Sequence, residues 1–273
     1  GILQGLTATA NPLLICPSFQ EIAGRPLPEI VAALRDPDRR LRIATEHRAS
    51  IERLEGLAAD VFGSFYKLFP MGDPVDYEPK KSDSVAARAQ AAGQPVVDHL
   101  IDLMIEDEGR RLLYKPLFNF SHGNLDDVRE MLLRDNAVIG LSDAGAHCGA
   151  ISDGSFTTTA LALWTRDRHE DGRLPIELMV NHITQRTARH VGWFDRGVVA
   201  PGYLADLNVI DMTSLAAAPP RIVHDLTAGG RRLVQDARGY RHTVKGGVVT
   251  FEEGHHTGEL PGRLVRGARV APR

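Results

Sequence analysis

The feature that most constrains this chain is the run Ala137-Val138-Ile139-Gly140-Leu141, five apolar residues delivered straight into Ser142-Asp143. A strand with one face in water alternates apolar and polar residues. A run that is apolar on both faces is the pattern of a strand buried in a parallel sheet. Upstream, LLYKPLFNF predicts a strand and loop, and NLDDVREMLLRD predicts a helix capped by Asn124 with acids in its first turn. Strand, helix and strand in this order make an α/β unit. In such units ligands sit at the C-terminal ends of the strands, which singles out Asp143.

Local signals extend this reading in both directions. Residues 1–18 are apolar, β-branched and broken by Gly and Pro, predicting one or two buried strands with a loop at Asn11-Pro12. EIVAALRDPDRRLRIATEHRASIERL carries apolar residues three and four apart and predicts two amphipathic helices broken near Asp36-Pro37. FYKLFPMGDPVDYEPKK has no period and reads as a long connection of the kind that forms lids or binding loops. Ser84 is placed to cap SVAARAQAAG, and Pro95 to start PVVDHLIDLMIEDEGRRLL. After Asp143, SFTTTALALWTRDR (with Ser155 as its cap) and PIELMVNHITQRTARHVG predict helices. Beyond Gly192 short β runs alternate with Pro-Gly and Gly-Gly turns, predicting an all-β module with an Arg-rich tail.

Composition excludes several classes. With 32 basic and 35 acidic residues among 273, the net charge is −3, which argues against a nucleic-acid binder by bulk charge. No window holds eighteen uninterrupted apolar residues and no signal peptide opens the chain, so the expectation is a cytoplasmic protein without membrane association. Cys16 and Cys148 are too few for a disulfide scaffold or a four-cysteine zinc site.

Chemistry concentrates in LSDAGAHCGAISDGS. Asp143 stands at the predicted strand tip, small residues follow, and His147 stands four positions on. Small residues leave room for a ligand, and Asp and His can share a proton or a metal. The same pattern also suits an Asp that caps a turn beside a locally bonded His. Tyr114-Lys115 lies in an apolar segment, where a buried Lys is costly unless paired, which makes Lys115 a candidate anion or carboxylate binder. His122, in FNFSHGN, is a candidate pocket residue. His182 and His190 lie two turns apart, too far to chelate one ion together, and His255-His256 lie in a polar turn. The chain has no HxH, HExxH, GxGxxG, Walker loop or GxSxG elbow.

RGVVAPGYLADLNVIDM, Arg196 to Met212, resembles the G-x-I-x-P-G-x-x-A-D-L-x-x-x-D run of the amidohydrolase superfamily, and LPIELMVNHITQRTARHVGW resembles the helix before it. NPLLICPSFQEIAGRPLPEIVAALRDPDRR, FPMGDPVDYEP and HDLTAGGRRLVQDARGYRHTVKGGVVT are similar to the N-acyl-D-amino-acid deacylase (D-aminoacylase) branch. The resemblance covers nearly the whole chain. It implies the C-terminal part of a metal-dependent, TIM-like (β/α)8 barrel with an insertion, followed by strands of a small β-sandwich. Late barrel strands and helices would occupy 1–63, a helical insertion or lid 64–110, closing α/β units with Asp143 111–195, and the sandwich module 196–273.

The superfamily's HxH, its bridging residue and two further His would lie in an N-terminal half not present in this sequence. The implied cofactor is zinc, one or two ions, with Asp143 as metal ligand and catalytic acid–base. His147, Lys115 and His122 would be substrate contacts. The implied activity is hydrolysis of a non-peptide C–N amide bond in an N-acyl amino acid or other small amide. A cyclic amidase, another amidohydrolase, or a non-catalytic binding or scaffold remnant are the alternatives. A half-barrel would expose strand edges and an apolar face, so the chain is expected to need its N-terminal half or self-association. In this branch an Arg for the substrate carboxylate often follows soon after the Asp, whereas here the first is Arg166.

Overall fold

The computed structural model describes residues 1–140, 142–143, 149–151 and 153–272. Its helices are α1 (Pro17–Gln20), α2 (Leu27–Ala33), α3 (Pro37–Ile51), α4 (Gly56–Gly63), α5 (Val85–Ala91), α6 (Val96–Gly109), α7 (Asp126–Leu132), α8 (Phe156–Ala162), α9 (Ile176–Asn181) and α10 (Thr187–His190). Its strands are β1 (Ile2–Gln4), β2 (Phe69–Pro70), β3 (Leu113–Lys115), β4 (Leu207–Ile210), β5 (Ala216–Ala217), β6 (Arg221–Leu226), β7 (Gly230–Val234), β8 (Ala237–Arg238), β9 (Tyr240–Lys245), β10 (Val248–Glu252) and β11 (His255–His256). The chain divides into two compact units. One comprises Gly1–Leu125, Asp143–Ser152 and Pro219–Val234, and the other Asp126–Ser142, Asp153–Ala218 and Gln235–Arg273.

The first unit is built on local signals that hold. Asp36 Oδ1 accepts from Asp38 N at 3.0 Å and starts α3 with Pro37 as its first residue. Ser84 Oγ accepts from Ala87 N at 3.2 Å and starts α5. Each satisfies a donor that the first helical turn leaves open. Pro95 precedes α6 as its cap residue rather than opening it, and the helical backbone breaks at Glu106–Glu108. The apolar faces of these helices close over one core that includes Leu13, Phe19, Ile43, Leu68, Leu100, Ile101 and Met104. A three-stranded antiparallel sheet, β1-β3-β2, lies in the same unit. A second cluster, Leu3, Ala8, Met71, Leu112 and Leu233 with Ile222 against it, joins the β6–β7 hairpin to that sheet.

Three expectations are corrected here. Of the one or two strands expected in residues 1–18, β1 forms, and the loop at Asn11-Pro12 is instead a capped helical turn over Pro12–Ile15, with Asn11 Oδ1 accepting from Leu13 N at 2.9 Å. An Asn followed by Pro serves as a cap and first helical residue as well as a loop. Ala137–Gly140 form no strand, because an apolar run becomes a strand only where neighbours pair with its backbone, and none does among the described residues. Leu141 lies outside the described residues. Ser155 stands at the cap position of α8, but its hydroxyl donates to Gln235 Oε1 at 2.5 Å instead of capping the helix.

In the second unit, α8 continues through a π-helical stretch at Leu163–Asp167, and α9 runs through another at His182–Arg186 into α10. The β-rich expectation holds for a four-stranded antiparallel sheet ordered β11-β10-β9-β4. Gly246 and Gly247, with φ of +60° and +85°, close the two-residue turn between β9 and β10, a conformation that L side chains resist. Every ladder between named strands is antiparallel. Parallel pairing among the described residues is confined to the isolated bridges Gln4–Ala10 and Trp193–Arg269. The architecture is therefore mixed α/β with several antiparallel sheets, and no helix of the described residues is long and apolar enough to cross a membrane.

Candidate functional site

Asp143 is exposed and belongs to no regular element. The first unit fixes the chain just beyond it. Leu3 N donates to Ala150 O at 2.8 Å and Thr9 N to Gly149 O at 2.9 Å, so residues 149–151 are bound to β1 and the loop after it. A Cβ at Gly149 would meet Thr9 Oγ1, so a larger residue there would force the Thr9 side chain to move. His147 and Cys148 lie outside the described residues.

In the second unit, the helix that leads toward this segment is held at both ends. Arg168 Nη2 donates to Asp126 Oδ1 at 2.7 Å at the start of α7, with its guanidinium 4.7 Å from the centre of the Trp164 ring. At the other end His182 Nε2 donates to Leu132 O at 2.8 Å, and Arg186 donates to the backbone oxygens of Arg134 and Asp135. Burial lowers the His182 pKa against the opposing bond to Leu132 O, and the Arg186 charge lowers it further. His182 thus locks a turn, a role that its sequence spacing from His190 does not reveal.

Lys115 is fully buried on β3 and its ammonium donates to Ser64 O at 2.9 Å. It is one of three polar side chains that converge on the C-terminal end of α4. Gln4 Nε2 donates to Val61 O at 2.8 Å, and His47 Nε2 bonds Phe62 O at 3.0 Å while its ring stacks on Phe65 at 5.2 Å. The last carbonyls of a helix lack partners within it and carry the negative end of its dipole, so buried donors and a cation are favourable there. Burial pushes the Lys115 ammonium down to about 8 against the opposing pull of Asp60, and also lowers His47. The signal for His47 lay in its spacing, four residues after Ile43 on the apolar face of α3.

His122 lies exposed in the turn after Phe120. Buried Cys16 has its thiol pushed up to about 12 by burial, with Glu46 adding to the effect, so it is not a nucleophile at neutral pH. Among the described residues no three His, Cys, Asp or Glu come together to hold a metal ion. The Asp143, Lys115 and His122 expectations therefore fall at distinct places: a surface segment, a helix end and an exposed turn.

The motif at 196–212 has a structural explanation in the second unit. Gly197 sits at φ +80°, where a Cβ would lie 2.7 Å from Gln185 Cα. Asp206 accepts from Lys245 Nζ at 2.8 Å and from Gly246 N at 2.9 Å, fastening the β9–β10 turn. With the fold and these positions established, the comparisons identify the family. A model described as the amidohydrolase family matches residues 1–251, and the chain belongs to that family. No curated protein and no solved structure matches the chain. Membership supports hydrolase activity on small-molecule substrates.

Proposed function

We propose that this member of the amidohydrolase family serves a zinc-dependent hydrolase of non-peptide C–N amide bonds, most specifically an N-acyl-D-amino-acid deacylase, as the C-terminal part of the catalytic chain. The observation that carries the reading is the family match over residues 1–251 together with an exposed Asp143 in a segment bound to β1. On this reading the chain contributes the closing part of a TIM-like barrel, an insertion at 64–110 and strands of a small sandwich. Small N-acyl amino acids are the substrates.

Asp143 takes a proton from the attacking water as the water oxygen adds to the acyl carbon. It then returns the proton to the departing nitrogen, so that one carboxylate serves as base and acid in turn. His147 and His122 are the proposed substrate contacts. Lys115 keeps its ammonium on Ser64 O and serves the framework. The described residues alone do not assemble a metal site. Zinc, one or two ions with further ligands from outside this sequence, would supply Lewis-acid activation, and Asp143 is the residue of this chain nearest to that role in chemistry.

The test uses the full-length natural protein with N-acyl-D-amino acids, N-acyl-L-amino acids and cyclic imides. Turnover of the N-acyl-D-amino acids that is lost on chelation and restored by zinc supports the reading. Preferential turnover of cyclic imides would move the assignment to the cyclic amidases. Binding without turnover of any amide would make the chain a non-catalytic remnant.

A further inference from the structure

We infer that the backbone edge at Gly192–Phe194 in the second unit is a binding site for an extended peptide, and that residues 268–272 of the chain occupy it as a replaceable strap. These residues lie outside the span 1–251 that matches the family. Arg269 N donates to Gly192 O at 2.8 Å and Arg269 O accepts from Phe194 N at 3.0 Å, which forms the isolated parallel bridge between Trp193 and Arg269. Both bonds use backbone groups alone, the pattern of a strand added to an open edge. Side-chain room decides which segment fits. A Cβ at Gly192 would come within 3.3 Å of Ala268 Cβ, and one at Gly202 within 2.8 Å of Pro272 Cβ. The two glycines thus frame a slot for a small residue and, four positions on, a proline. The Asp195 carboxylate is held below its ordinary range, first by the hydrogen bond from Arg196 at 2.8 Å and further by the Arg196 and Arg269 charges, so a basic residue suits the position between them.

The connection that carries the strap makes it replaceable. Just past β11 the chain is still fastened, with Thr257 N donating to Thr250 O at 3.0 Å. From Leu260 to Ala268 no hydrogen bond or ion pair forms among the described residues. Leu260 and Leu264 are 83% and 76% exposed, and a Cβ at Gly258, Gly262 or Gly267 would meet nothing within 4 Å. A short flexible connection of this kind presents its end at an effective concentration of about millimolar. A segment that binds its slot only in that range therefore stays seated within its own chain, and a tighter peptide from a partner displaces it. The chemistry of the slot defines that partner: an extended, exposed segment with a small residue, a basic residue after it and a proline three positions further on.

The experiment titrates the full-length protein with the peptide Gly-Ala-Arg-Val-Ala-Pro, the sequence of residues 267–272, and follows the fluorescence of Trp193, which lies between the two bonds. Arg269→Pro in the protein deletes the N–H that bonds Gly192 O and unseats the strap. The variant is expected to bind the peptide saturably with Kd of roughly 0.1 to 1 mM, and the wild type, whose own strap competes, at least about 10-fold more weakly. The same peptide carrying Arg269→Pro should bind neither protein. Equal binding by both proteins, or no binding by a variant that keeps the wild-type thermal midpoint, would overturn the inference. If the variant does not fold, hydrogen exchange of the wild type decides. Excess peptide should speed exchange at the Arg269 amide and leave the Phe194 amide protected. Exchange at Arg269 that is as slow as in β9 and indifferent to peptide would contradict it.

Discussion

The C-terminal end of α4 and the segment around Asp143 treat ionisable groups in opposite ways. At α4, Gln4, His47 and Lys115 are buried, and each bonds a backbone carbonyl at or just past the helix's C-terminal end. Burial lowers the pKa values of His47 and Lys115, yet the donor nitrogen of each of the three side chains is committed to the backbone. Asp143 is exposed and lies in no regular element, and downstream of it the chain is bound at Gly149 and Ala150. A perturbed pKa often marks an active site, but structural networks perturb pKa values as well. Here the perturbed groups hold the framework, and the candidate for chemistry is the accessible one.

The comparison breaks first at His47. Its replacement by Ala removes a buried ring from Phe65 and orphans Phe62 O, and should cost about 4 kcal/mol in urea unfolding. KM and kcat of the remaining folded protein should stay at wild-type values. A catalytic loss without a stability loss would transfer the buried cluster to the active site.

A smaller effect is expected from Lys115, with a defined sign. Its folded-state pKa of about 8 lies below the ordinary value of 10.5, so between these pH values the unfolded chain holds a proton that the folded one has released. Stability from this group therefore rises as pH increases through that window, by on the order of 3 kcal/mol in total. Cys16 and Tyr114, both pushed up by burial, act in the opposite direction above about pH 9 to 10. The informative quantity is the difference between wild type and Lys115→Met across pH 8 to 10.5. A wild-type-minus-variant stability difference that rises with pH across that window sharpens the comparison, and parallel curves would break it.

The same contrast explains how much of the molecule was legible in the sequence. Asp36-Pro37, Ser84 and Gly246-Gly247 act through residues within four positions of themselves, and their caps and turns form as expected. Ala137–Gly140 failed because a strand depends on partners that a local apolar run does not specify. The 196–212 run was read for family, and the structure adds its physics, a glycine pressed against Gln185 and an Asp fastening a turn. Lys115 was flagged correctly as buried and in need of a partner, while the partner proved to be the backbone carbonyl of Ser64, just past the end of α4.

The most direct test of the account is turnover by Asp143→Asn in the zinc-loaded full-length protein, measured together with its thermal midpoint. The carboxamide is close in size and cannot carry the proton, and an exposed position gives little reason for the fold to change. The account predicts a fall in kcat of roughly 10²- to 10⁴-fold at an unchanged midpoint. Near-normal turnover would contradict it.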